Sequence, residues 1–287
     1  MELTPPSPQG AQSRERRSRR LRGLLALPLA ALLLAGCKLP SFGAYKSDTV
    51  TGRSTYHLWQ GFSVAAAIIG GFTLLLILWT VLRYRRKSVD AIPRQVQYHI
   101  PLELVYTIIP IFIVIGLFAA TVVVENKVEA MPNTNVVINA NAFQWGWGFT
   151  YPGHSAISVG NTTETPTMVM PVNTNVRVVL TSTDVLHGFY IREFNFSRYA
   201  LPGVVNKFTF RAENTGTFFG QCSQLCGLYH SIMFFKVKVV TQAQYAAWLA
   251  TFETPAGKAA AKAAAEALKQ QISAHVPVKP YVGQGVN

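Results

Sequence analysis

Hydrophobic and polar positions change their period partway along this chain. From Gly61 to Leu82 no side chain is charged, and a second uncharged run extends from Leu104 to Val124. Each is long enough to cross a bilayer as a helix, which takes about 20 apolar residues. Beyond them the pattern turns to alternation and β-branched runs, over 135–151, 165–170, 175–182, 207–212 and 232–240. Turn signals separate these runs, including Pro152-Gly153, Pro202-Gly203 and Asn214-Thr215-Gly216. The pattern predicts a membrane α-helical hairpin of two transmembrane helices followed by an all-β sandwich of short strands. A short amphipathic helix is predicted over 243–252. Residues 255–274, rich in Ala, Lys and Gln, favour helix but offer little apolar face, which suits a mobile tail or a contact with another subunit.

Charge orients the hairpin. Arg83-Tyr84-Arg85-Arg86-Lys87 directly follows the first span, which puts that end in the cytoplasm, and Trp59 is placed as an interfacial anchor at the other. Both chain ends then lie outside. The formal net charge of +13 is concentrated in the first 36 residues and in 83–94, whereas 125–287 holds twelve Lys or Arg against eight Asp or Glu. The excess is a topological signal, so no nucleic-acid partner is expected.

The first 36 residues, Arg-rich and then apolar from Gly23 to Ala35, read as a signal peptide. Leu34-Ala35-Gly36-Cys37 resembles a bacterial lipobox, which makes Cys37 a lipid-attachment residue; an uncleaved anchor is the alternative. Arg19-Arg20 is a weak hint of twin-arginine export. The expected division is a signal peptide (1–36), an extracytoplasmic linker (37–57), the hairpin (58–124, with a cytoplasmic loop 83–101), a β-domain (125–252) and a tail (253–287).

The chemistry gathers late in the chain. Cys222, Cys226, His230 and Met233 fall within twelve residues, and His187 ends an apolar run upstream. Thiolate, thioether and imidazole together suit copper better than calcium or magnesium. A disulfide between the two cysteines and a Cys₂His₂ zinc site are the alternatives. Zinc would not need Met233. Neither span contains histidine, so nothing in them can ligate a heme or metal, and no Cys-x-x-Cys-His occurs for a c-type heme.

From about Trp59 to Val240 the chain resembles cytochrome c oxidase subunit II, and the 222–233 segment resembles its dinuclear copper (CuA) loop. The resemblance implies a cupredoxin-like Greek-key sandwich. It implies two copper ions held by His187, Cys222, Cys226, His230, Met233 and the backbone carbonyl of Gln224. Trp145, in Gln144-Trp145-Gly146-Trp147, matches the residue through which the family receives electrons from cytochrome c. The other reading of Phe143, Trp145, Trp147, Phe149 and Tyr151 is a core stripe on one strand face. Glu103 matches the mouth of a proton-uptake channel shared with subunit I, and equally suits a carboxylate at a helix N-terminus. Gln224 and Tyr199 stand where the family usually has Glu and Asp, so the interfacial magnesium is expected to be weak, differently ligated or absent.

The implied partners are subunits I and III, membrane lipid, and a cytochrome c that is soluble, membrane-bound or fused to a bc complex. The implied setting is the bacterial plasma membrane, with the copper domain outside. A quinol oxidase subunit would lack the ligands, and a nitrous oxide reductase needs a large His-rich domain that six histidines cannot furnish. A lipid-anchored copper carrier without redox turnover is the alternative function.

Overall fold

The computed structural model describes residues 39–85, 88 and 96–274. Helix α1 runs over Val50–Arg83 and α2 over Ile100–Val128. Both are long and apolar enough to cross a membrane, and their most apolar windows bury nothing inside the chain. Apolar side chains point outward all round, from Phe72 and Leu75 on α1 to Phe112 and Phe118 on α2. That pattern requires a lipid or protein environment.

Ten strands follow: β1 (Val136–Phe143), β2 (Gly146–Thr150), β3 (Ile157–Gly160), β4 (Thr167–Pro171), β5 (Val176–Ser182), β6 (His187–Ile191), β7 (Phe196–Ala200), β8 (Asn206–Phe210), β9 (Gly216–Cys222) and β10 (Phe234–Val240). They form two five-stranded sheets, ordered β3-β2-β1-β5-β8 and β4-β10-β9-β6-β7. The β1–β5 and β4–β10 pairs are parallel and all other pairs antiparallel. Aromatic rings fill the space between the sheets. Phe235 stacks on Phe189 at 4.7 Å and meets Trp147 at 5.1 Å. Offset and edge-on contacts of this kind add roughly 0.5–1.5 kcal/mol each beyond burial.

Three expectations need correction. The run 135–151 is two antiparallel strands, with Phe143 opposite Gly146 and the chain reversing at Gln144 and Trp145. Phe143, Trp147, Phe149 and Tyr151 are buried, but Trp145 leaves the shared face because it sits at the turn. The polar linker is already helical from Val50, since the Thr49 hydroxyl accepts the Gly52 amide and caps α1. Finally, the Ala-rich tail does not hang free. After α3 (Gln242–Glu253), α4 (Pro255–Ala274) lays a stripe of Ala261, Ala264, Ala265, Leu268 and Ile272 toward the domain, with Leu268 beside Gly148. Alanine supplies the close approach that a search for large apolar residues overlooks.

Residues 45–53 strap α1 to the sandwich. The Asp48 amide donates to Glu193 O at 2.9 Å, the Glu213 amide to Asp48 O at 3.0 Å, and the Asn195 side-chain amide to Tyr45 O at 2.6 Å. Thr49 bridges Ala212, and Arg53 pairs with Glu213. Gly52 is where the two parts touch: a Cβ there would lie 2.0 Å from Phe194 O. Gly52→Val is therefore expected to cost about 1–3 kcal/mol through overpacking. Thermal unfolding of the detergent-solubilised chain checks this, and an unchanged midpoint would show that the contact relaxes freely.

Candidate metal centre

The β9–β10 connection carries most of the site. Cys222 ends β9, a loop carries Gln224 and Cys226, a 3₁₀ turn spans His230–Ile232, and Met233 leads into β10. The loop is pinned at its base by the Cys222 amide to Met233 O and by the Ser223 amide to Gly188 O, both at 3.0 Å. β6 brings in His187 from the neighbouring strand, with Phe189 in register with Cys222.

These elements converge on two sulfurs. Cys222 Sγ and Cys226 Sγ lie 3.6 Å apart, far beyond the roughly 2.05 Å of a disulfide. Each has its own imidazole: His187 Nδ1 is 3.9 Å from Cys222 Sγ, and His230 Nδ1 is 3.6 Å from Cys226 Sγ. Met233 Sδ stands 3.9 Å from Cys226 Sγ, and Gln224 O 3.2 Å from Cys222 Sγ. Every sequence-predicted ligand is thus brought to one place. His187, Cys222, Cys226 and Met233 are buried, whereas His230 and Gln224 are half-buried. The donors are soft or borderline and include a buried thioether, a set that fits copper and exceeds what tetrahedral zinc uses.

Asp184, three residues before His187 in the sequence, is only 7% exposed. Its Oδ1 accepts from His187 Nε2 at 2.8 Å, which leaves Nδ1 as the nitrogen directed at the sulfurs. Its Oδ2 accepts the Gln144 amide at 2.6 Å, tying the same carboxylate to the turn that bears Trp145. Burial alone would raise the Asp184 carboxyl, but the bonds from His187, Val185 and Gln144 outweigh it and hold it low. Burial also opposes charge on His187, yet Asp184 and Cys222 leave its pKa raised. The hydrogen bond from the Cys226 thiol, helped against burial by His187 and the Gly188 amide, brings Cys222 down to about 3. Cys226 is raised in turn, first by that same bond and then by burial. A metal held by both sulfurs would require both thiols to give up their protons.

Trp145 is linked to this centre directly. Its indole Nε1 donates to Cys226 O at 3.1 Å, and Gln144 Nε2 donates to the same oxygen at 2.8 Å. Tyr229 stands edge-on to the indole at 5.0 Å. Gly227 adopts φ +114°, and a Cβ there would lie 2.9 Å from the indole ring. A cavity of about 290 Å³ opens beside Trp145, lined by Asn161, Tyr229 and Gln271 of α4 among others. Gln144 and Asp184 are the residues that sequence reasoning missed. For Asp184 the available signal was a carboxylate three residues before a histidine that closes an apolar run.

The other candidates lie apart. Glu103 accepts the His99 amide at 2.8 Å and caps the start of α2. Tyr199 is exposed on β7, opposite Gly188. Cys37 and the signal segment lie outside the described residues.

A family model for the periplasmic domain of cytochrome c oxidase subunit II matches residues 161–240. The probable cytochrome c oxidase subunit 2 of Streptomyces avermitilis is 33% identical, across 83% of this chain and 89% of its own length. The cytochrome c oxidase subunit 2 of Cereibacter sphaeroides is 32% identical, across 79% of this chain and 87% of its own. Among solved structures, the periplasmic domain of subunit II of the Bradyrhizobium japonicum cytochrome oxidase is 35% identical and covers 42% of this chain and 96% of its own, with a TM-score of 0.39. With relatives more than 30% identical over most of both chains, the chain belongs to the cytochrome c oxidase subunit 2 family.

Proposed function

We propose that the chain is the electron-accepting subunit of a heme-copper oxidase, taking electrons from cytochrome c at a dinuclear copper centre and passing them to the heme of subunit I, where oxygen is reduced to water. The observation that carries this reading is the pair of thiols 3.6 Å apart, each with its own imidazole. His187, Cys222, Cys226, His230, Met233 and the Gln224 carbonyl would hold the two ions. When bound, such a pair supplies one-electron storage with the charge spread over both ions, so little rearranges between oxidation states.

The chain's own residues do the rest. The Trp145 indole receives the electron at the surface and conducts it to the Cys226 backbone through the Nε1–H···O bond. Asp184 fixes the tautomer of His187, and the β6–β9 pairing holds His187 and Cys222 in one register. Burial of the ligands excludes water and opposes exchange, which speaks against a copper carrier that must hand its metal on.

Glu103 is assigned to the mouth of a proton path shared with subunit I, a role compatible with its cap on α2. Cys37 is assigned to lipid attachment. The proposed setting is a bacterial plasma membrane, with subunit III a further partner and the donor cytochrome soluble, membrane-bound or fused to a bc complex. Magnesium is not assigned to Gln224 or Tyr199.

The test is to load the purified full-length chain with copper in the presence of competing zinc, then measure metal content and the electron paramagnetic resonance spectrum. A pair of copper ions with one unpaired electron delocalised over both nuclei is expected. The spectrum of an isolated copper ion, or retention of zinc, would overturn the dinuclear reading.

A further inference from the structure

Where the two helices meet the sandwich, basic side chains gather without acids to match them. A cavity of about 150 Å³ opens there, between Val50 and Thr51 at the start of α1, Lys127 at the end of α2 with Pro132 beyond it, and Thr209 of β8 with Arg211 just after that strand. Arg177 lies next to it on β5, directly opposite Thr209, and donates to Pro132 O at 2.8 Å. The carboxylates nearest in sequence are already engaged: Glu129 pairs with Arg198, Glu213 with Arg53, and Asp48 accepts from the Asn214 side-chain amide at 2.5 Å. Glu125 precedes Lys127 by two residues, which the 100° helical step places on the far side of α2. Lys127 and Arg211 are exposed, and neither pairs with a carboxylate among the described residues.

Height narrows the choice of ligand. The uncharged run of α2 ends at Val124, and Lys127 follows three residues later, about 4.5 Å along the axis. The headgroup layer on each side of the hydrocarbon is roughly 5–8 Å thick. Long basic side chains reach along this layer toward phosphate oxygens. We propose that Lys127 and Arg211, with Arg177 behind them, form a binding site for the phosphate of an anionic phospholipid in the outer leaflet. The site would seat the sandwich on the membrane surface at the point where the hairpin leaves it. The inference requires that the helices cross a bilayer and is independent of the copper centre.

The test uses the full-length chain reconstituted with spin-labelled lipids, comparing motionally restricted phosphatidylglycerol with phosphatidylcholine. Each basic residue at an anionic surface contributes roughly fivefold to binding. Parent protein should therefore prefer phosphatidylglycerol severalfold. The Lys127→Gln/Arg211→Gln variant should lower that preference severalfold, leaving only the share contributed by the basic residues of 83–94 at the other end of the hairpin, and Lys127→Arg/Arg211→Lys should keep it whole. Lys258→Gln/Lys262→Gln, which removes the same charge from α4, should leave it unchanged. Circular dichroism of each variant identifies any that fail to fold; should the double glutamine variant do so, the single Lys127→Gln and Arg211→Gln variants, each expected to lose part of the preference, carry the comparison. No preference in the parent, or equal loss in the α4 variant, would overturn the site. Cross-linking of Lys127 to another protein subunit without lipid selectivity would also overturn it, in favour of a protein contact.

Discussion

Cys222→Ser is expected to abolish electron acceptance from cytochrome c while leaving the sandwich folded. Serine is nearly the size of cysteine, and Cys222 sits at the end of β9, where its amide still bonds Met233 O. What disappears is the soft anionic donor common to both halves of the site, within reach of His187, Gln224 O and Cys226 at once. The loss should exceed the roughly 100-fold that removal of a supporting hydrogen bond to a metal ligand costs. Oxidase turnover with reduced cytochrome c, read beside the copper resonance, checks it. A variant that still showed a delocalised copper pair and normal turnover would remove Cys222 from the ligand set.

The two tryptophans of the 144–147 segment should separate cleanly when replaced. Trp145→Ala takes away a half-buried indole that bonds Cys226 O, but no ligand. Its copper spectrum should persist, while electron uptake from cytochrome c falls roughly 30-fold or more, the effect of losing a tryptophan anchor worth about 2 kcal/mol. Trp147→Ala should instead destabilise the whole domain by about 3–5 kcal/mol, because that ring is fully buried against Phe189 and Phe235. Stopped-flow reduction and thermal unfolding distinguish the two. Unchanged uptake in the Trp145 variant would place the electron port elsewhere on the surface.

The candidate site was legible because one loop supplies four of its side chains at short fixed spacings, and His187 closes an apolar run. The helical hairpin was legible because uncharged runs of that length have few other uses. Asp184 was not, since a carboxylate beside Thr183 looks like an ordinary surface acid until β6 turns His187 back over it. The reversal at Gln144-Trp145 was missed for a related reason: neither of its two central residues is the glycine, proline, asparagine or aspartate that usually marks a turn, and Gly146 after them already belongs to β2. Strands β3, β6, β7 and β9 mix polar residues and glycine with their apolar positions, and their pairing across the sheet overrides weak local preference. In α4, small residues stand where a larger apolar stripe would have signalled burial.

The strap at 45–53 has a consequence for biogenesis. Thr49 and Gly52 lie against Ala212 and Phe194, contacts that span more than a hundred residues and enclose the whole hairpin. A ribosome delivers the strap long before the strands that receive it. Contacts so distant in sequence form late, because the loop between them must close first. The segment ahead of α1 and the segment after α2 must therefore stand on the same side of the membrane before the sandwich can complete its edge. Export of the chain's front end and closure of the metal-binding domain are thus successive steps of one assembly, and insertion of the hairpin is what joins them.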